Sequence, residues 1–296
     1  MILVAGATGV LGSEIVRNLL GRGEKVRAMT RSTSKPGTVD ALRKAGAEIV
    51  VADLKDPASL ANACKGVDSV ISTVTSVTTA QPGDSFDATD GQGTKSLIDA
   101  ARKAGAKKFV FVSFDADSAP DAPLPRAKRS AEDHLKKSGL DYTILHPTAF
   151  CESWLGPMMF ADPVAGTARV YGSGTHKLRY VAVADVAELA VQSLSRPFAS
   201  NATIPFGGPE EISQRDAVKM FEDTFGKTFE VTEIPEEVLE AQWKAAQDPL
   251  EKSFAALMLA MARGFGGAID PPFDEFPMRM HSPREYVKQL ATSLAT

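Results

Sequence analysis

Cysteine is almost missing from this chain, and with it go several ways of building or using a protein. Cys64 and Cys151 are the only two cysteines in 296 residues. They lack the paired spacing of a zinc site or a disulfide framework, so no metal is expected and a reducing compartment, by default the cytoplasm, is. No stretch approaches the roughly 18 consecutive apolar residues of a membrane span. No cationic segment precedes the apolar start, and Met1 itself opens a strand pattern, so neither an anchor nor a cleaved leader is expected. No long basic block exists either. Lys and Arg number 33 against 37 Asp and Glu, a formal charge of −4, so direct nucleic-acid binding is not expected. Internal repeats and low-complexity tracts are absent.

What is present is an ordinary globular composition, 44% hydrophobic and 24% charged, arranged in strict alternation. Short β-branched runs (MILVAG, KVRAMT, EIVVAD, DSVISTV, KKFVFVS, DYTIL) are separated by amphipathic stretches near 10–20, 39–45, 57–64, 94–104 and 126–138. Most of these helices end on a glycine (Gly21 or Gly23, Gly46, Gly66, Gly105, Gly139), the residue suited to a left-handed C-terminal cap. Such β-α alternation predicts a Rossmann-type, doubly wound parallel sheet. Beyond about Pro147 the pattern is mixed, with helices expected around 213–226 and 235–262. Residues 1–150 therefore read as a dinucleotide-binding domain and 151–296 as a smaller C-terminal substrate lobe that returns one strand, near 202–206, to the sheet.

The sharpest motif is Gly6-Ala7-Thr8-Gly9-Val10-Leu11-Gly12, between the strand ILVA and a helix with Val10, Leu11, Ile15, Val16, Leu19 and Leu20 on one face. The first glycine permits a tight turn, the second lets backbone approach a pyrophosphate, and the third lets helix and strand pack closely. The helix N-terminus adds unpaired N–H groups. At the end of the second strand, where an NAD-binding protein carries a carboxylate for the ribose 2′-hydroxyl, stand Thr30, Arg31 and Ser32. Arg31 offers a planar donor fork to a 2′-phosphate, with Ser32 and Lys35 close by, so NADP(H) is the expected cofactor. A surface arginine opening a loop is the competing reading. Asp53 with Leu54, ending strand three, either faces the adenine or simply makes a turn.

These motifs, with VADLKD, TDGQGTKSLIDAARKAGAKKFVFVS, AEDHLKKSGLDYTILHPTAF, YVAVADVAELAV and IPFGGPEEIS, resemble the NmrA-like branch of the atypical short-chain dehydrogenase/reductase superfamily over roughly residues 1–235. The resemblance implies NADP(H) binding, and either reduction of a small organic substrate or a cofactor-sensing role. It places Thr73, Val74, Pro147, Thr148 and Phe150 with the cofactor, and Ser113 where the superfamily hydrogen-bonds a substrate carbonyl. It puts Lys128 at the lysine of the catalytic Tyr-x-x-x-Lys, but position 124 is leucine and no tyrosine lies between Phe114 and Arg126.

Lys128 is therefore expected to bind the nicotinamide ribose, act as general acid, or both. A solvated lysine between Arg126 and Arg129 is the alternative. His146 and Cys151 read as a satisfied strand-end histidine and an inert thiol. Met158, Met159, Met258, Met261, Met278 and Met280 lie in the C-terminal part with Trp154, Phe160, Phe265, Phe273 and Phe276. Converging, they would form a soft apolar pocket, edged by the 115–125 loop and the segment Gly264 to Gly267; at helical spacing, Met258 and Met261 read as core. Two functions follow. One is an NADPH-dependent reductase of a small apolar carbonyl, enone or quinone, with Lys128 and Ser113 at the chemistry. The other is an NADP(H)-binding regulator acting through a protein partner, and a homodimer is compatible with both. A nucleotide-sugar epimerase is disfavoured by the missing tyrosine.

Overall fold

A computed structural model describes residues 1–77, 81–265 and 274–294. The chain divides into two compact units that interleave along the sequence. The first comprises Met1–Phe114, Arg126–His146 and Val186–Ile204, the second Asp115–Pro125, Pro147–Asp185 and Pro205–Thr296. Where the sequence suggested a boundary near residue 150 with one strand near 202–206 returning to the sheet, the chain crosses between units at several further points, and Ala202–Phe206 is a strand of that sheet.

The first unit is built on β1 (Ile2–Ala5), α1 (Val10–Gly21), β2 (Val26–Thr30), α2 (Pro36–Lys44), β3 (Glu48–Val51), α3 (Pro57–Ala63), β4 (Ser69–Ser72), α4 (Thr94–Lys103), β5 (Lys108–Val112), α5 (Pro123–Lys136) and β6 (Asp141–Pro147). The sheet order is β10-β6-β5-β4-β1-β2-β3, β10 being Ala202–Phe206. Pairs β1–β2, β1–β4, β2–β3, β4–β5 and β5–β6 are all parallel. Strand order reverses at β1, where β2 lies on one side and β4 on the other, and ligands of such sheets bind at the carboxyl ends of the strands there. Leu3, Val70, Phe109, Phe111 and Ile144 are fully buried in one core cluster. The helix-ending glycines Gly23, Gly46, Gly66, Gly105 and Gly139 all take positive φ, between 70° and 105°.

Two differences from the sequence reading have local causes. The fifth helix begins at Pro123, not 126, because prolines in a first turn lack only N–H groups that have no intrahelical partner. Ahead of α4, residues Phe86–Gly93 form a π-helical turn capped by Ser85, whose hydroxyl accepts from Ala88 N at 3.0 Å. Hydrophobic periodicity carries no mark of that turn.

In the second unit, β7 (Ala161–Asp162), β8 (Thr167–Tyr171) and β12 (Glu230–Ile234) form one small sheet, and β9 (Lys177–Leu178) with β11 (Ile212–Ser213) another. The helices are α6 (Cys151–Trp154), α7 (Val183–Gln192, which passes into the first unit), α8 (Gln214–Phe225), α9 (Glu236–Ala245), α10 (Pro249–Ala262) and α11 (Pro283–Leu294). The stretch expected as one helix over 235–262 is two. Pro249 starts a new helix, and the Asp248 carboxylate caps it by accepting from Leu250 N and Glu251 N at 2.9 and 3.0 Å. Met258 and Met261 are core residues here with Phe160 and Phe221, while Met158 is 76% exposed. Gly266 and Gly267, expected at a pocket edge, and Phe273, expected within the pocket, lie outside the described residues.

Candidate functional site

The glycine-rich turn follows β1 directly. Gly6 has φ +82°, and Gly9 N donates to Gly6 O at 3.0 Å, closing the turn. A Cβ on Gly6 would lie 2.5 Å from Thr73 Oγ1, and one on Gly12 only 2.1 Å from Gly6 O. These two glycines are required by the protein's own packing. A Cβ on Gly9 would meet only Gly6 O, at 3.3 Å, so the space over Gly9 is left open. Gly9 is the N-cap of α1 without a side-chain cap, and no acidic residue sits in the first turn. The first-turn N–H groups and the positive end of the helix dipole therefore face an open cradle, which fits a pyrophosphate. Ala7 is buried, Thr8 and Leu11 are half-buried, and Val10, expected on the apolar face, is 71% exposed at the helix start.

At the end of β2, Arg31 is half-buried, with Ser32 and Lys35 exposed beside it. Arg31 Nη1 donates to Asp84 Oδ2 at 2.8 Å, and Lys55 Nζ donates to Asp84 Oδ1. The Asp84 side chain is 2% exposed and accepts from Gln81 N at 2.8 Å. Burial works against the ionised Asp84, but the Lys55 hydrogen bond, the Gln81 amide and the charges of Lys55 and Arg31 outweigh it and hold its pKa below the ordinary value. The Asp84 hydrogen bond in turn raises Lys55. Asp53 Oδ1 accepts from Lys55 N at 2.8 Å, the side-chain bond of a turn residue, and Oδ2 lies 3.6 Å from Lys55 Nζ. Leu54 is 6% exposed and belongs to the core.

Lys128 is 4% exposed, which removes the solvated reading. Its Nζ donates to Val74 O at 3.0 Å, lies 3.1 Å from Asp90 Oδ1 and sits 5.2 Å from the Phe111 ring centroid. Asp90, on the π-helical turn, is fully buried, and its Oδ2 accepts from Ser76 N at 3.0 Å and Ser76 Oγ at 2.7 Å. Thr73, one residue before Val74, donates its N–H to Ala5 O at 3.0 Å. The glycine turn, the 73–76 segment and Lys128 are thus joined by direct contacts within one unit. Ser113 Oγ, expected toward a substrate, donates instead to Glu132 Oε1 at 2.5 Å, and His146 Nε2 lies 2.9 Å from the same oxygen. The sequence assigns no role to Asp84, Lys55, Asp90, Ser76 or Glu132; Lys55, Asp90 and Glu132 lie within the stretches VADLKD, TDGQG and AEDHLKK that carry the family resemblance, and Asp84 and Ser76 lie in none.

Pro147, Thr148 and Phe150 belong to the second unit. Pro147 is buried, Thr148 donates its hydroxyl to Arg179 O and its N–H to Phe206 O at 2.9 Å, and Phe150 bridges Val181. Asp185, 1% exposed, accepts from His281 N at 2.9 Å and lies 2.6 Å from His281 Nδ1. Burial raises its pKa against the opposing pull of His281. Cys151 is fully buried, and burial, with Glu152 and Asp185 nearby, pushes its thiol pKa far up; burial pushes Cys64 up to about 11. Neither cysteine is expected to react with iodoacetamide near neutral pH until the protein is denatured. Prompt alkylation of the native protein, read by mass spectrometry, would contradict this.

A family model described as the NmrA-like family matches residues 1–274, extending about 40 residues past the stretch that carried the resemblance in sequence. The photosystem II assembly factor Ycf39 of Cyanophora paradoxa is 33% identical over 241 residues, 81% of this chain and 73% of that protein. An NAD(P)H azoreductase of Xenophilus azovorans is 32% identical over 216 residues, 72% of this chain and 70% of that protein. Among solved structures, an NADPH-dependent quinone oxidoreductase of Escherichia coli superposes with a TM-score of 0.80 over 98% of this chain and all of that one, at 22% identity.

Proposed function

The chain belongs to the NmrA-like family, and from that premise we propose that it is an NADP(H)-dependent reductase of a small apolar carbonyl, enone or quinone. The observation that carries this reading is the buried Lys128, tied through Val74 to the segment that packs against the glycine turn. The turn and the α1 N-terminus hold the pyrophosphate, and Arg31 takes the 2′-phosphate. When bound, NADPH supplies the hydride. Lys128 supplies the proton. Val74 O accepts one of its N–H bonds and Asp90 Oδ1, 3.1 Å away, pairs with its charge without a hydrogen bond, so the ammonium keeps donor capacity for a ribose hydroxyl or a substrate oxygen. With leucine at position 124, no phenol competes for that role. Ser113, bonded to Glu132, acts by holding the end of β5 rather than by touching substrate. Two buried free thiols support a reducing, cytoplasmic setting.

Identity to an assembly factor favours a second reading, an NADP(H)-binding regulator that acts through a protein partner without turnover. Following NADPH oxidation with a panel of quinones, enones, apolar aldehydes and azo dyes separates the two. Turnover with any member supports the reductase, and none with the whole panel supports the regulator.

Cofactor choice is tested at Arg31. A charge-assisted contact to phosphate contributes about 1.5–3 kcal/mol, so Arg31→Ala is expected to weaken NADPH roughly ten- to a hundredfold and to leave NADH nearly unchanged. Equal losses for both cofactors in calorimetric titrations would assign Arg31 a structural role only.

A further inference from the structure

Arg31 and Lys55 do not wait as bare cations. Both are held by one carboxylate, Asp84, which stands 53 residues from Arg31 and 29 from Lys55 in the chain. The turn Gln81-Pro82-Gly83-Asp84 delivers it. Asp84 N donates to Gln81 O at 2.8 Å, and Gly83 has φ +83°, the type II geometry with proline and glycine at the central positions. The carboxylate then folds back onto Gln81 N at 2.8 Å. Asp53 lies 3.6 Å from Lys55, so these four side chains bring two positive and two negative charges together. The cluster is neutral where a 2′-phosphate of about −1.5 to −2 is expected to dock.

Building on the NADP(H) reading above, we propose that Asp84 is an internal counter-anion that sets cofactor discrimination: NADP(H) binds by taking Arg31 and Lys55 from Asp84, whereas NAD(H) leaves the bridge whole. Two anions sharing a pair of cations whose side chains are half-buried repel each other, because like charges a few ångströms apart interact appreciably where one of them, Asp84, is shielded from water. The 2′-phosphate brings more charge and more acceptor oxygens than a carboxylate, so it wins, but at reduced net affinity. Asp84 thereby narrows the preference that Arg31 creates. With Arg31 and Lys55 taken, the Asp84 carboxylate is left against Gln81 N.

The test is a titration of wild type, Asp84→Asn and Arg31→Ala/Asp84→Asn with NADPH, NADH and adenosine 2′,5′-bisphosphate. Asn is near-isosteric and keeps an acceptor for Gln81 N. Asp84→Asn is expected to bind NADPH and the bisphosphate at least about tenfold more tightly than wild type, with NADH changed less than about twofold. The gain should shrink when Arg31 is also removed, since the two residues are directly coupled. Unchanged or weaker NADPH binding in Asp84→Asn, or an equal gain for NADH, overturns the proposal. None of these measurements needs turnover. A chain that binds NADPH but reduces nothing loses the reductase reading and keeps this one, and failure of both wild type and Asp84→Asn to bind the bisphosphate ends both the NADP(H) assignment and the role of Asp84.

Discussion

Gly9→Val should abolish NADP(H) binding while leaving the chain folded. Gly9 has φ −78° and ψ 167°, extended geometry that valine adopts readily. The only heavy atom that a Cβ there would crowd is Gly6 O at 3.3 Å, a contact relieved by a shift of a few tenths of an ångström. The branched side chain would stand where phosphate oxygens must reach the first-turn N–H groups of α1. Two or more charge-assisted hydrogen bonds at about 1.5–3 kcal/mol each correspond to at least a hundredfold loss in affinity. Gly12→Ala should do the reverse. Its Cβ would sit 2.1 Å from Gly6 O, backbone against backbone, so β1 and α1 must separate and stability falls by about 1–3 kcal/mol or more. Thermal melts with NADPH titrations distinguish the two variants. Normal NADPH binding by folded Gly9→Val would move the phosphate site elsewhere.

Lys128→Met is expected to reduce turnover by ~10² to 10⁴, the usual contribution of a positioned general acid, with a much smaller effect on NADPH affinity. Methionine keeps an apolar stem and removes the ammonium that lies over the Phe111 ring. It also leaves Asp90 buried without its cation, and breaking a buried pair costs about 3–5 kcal/mol. The single variant should therefore melt earlier as well as turn over slowly. Adding Asp90→Asn removes the stranded charge, so the double variant should recover much of the stability and none of the turnover. Rates and melting temperatures measured side by side check this. If Lys128→Met loses rate and NADPH affinity in equal measure, Lys128 is a ribose-binding residue. If the double variant regains turnover, proton donation belongs to another group.

What could be read from the sequence was local. The glycine fingerprint is seven consecutive residues, its strand and helix are its immediate neighbours, and the β-α alternation appears in the period of apolar residues. Each is set by backbone sterics and burial within a short window, which is why the parallel sheet, the helix-ending glycines and the cradle over Gly9 were legible. The partners of the charged residues were not. Arg31 read as a donor awaiting a phosphate, and the fold gives it Asp84. Lys128 was located, but its burial and its pairing with Asp90, 38 residues earlier, were not. Ser113 was located too, yet its hydroxyl goes to Glu132. Asp185 and His281, 96 residues apart, carried no joint signal at all. A carboxylate and a cation attract wherever the chain brings them together, and no periodicity links their positions in sequence. Which charges meet is decided by loops that cross the strand ends, and only tertiary packing decides how deeply those pairs are shielded from water.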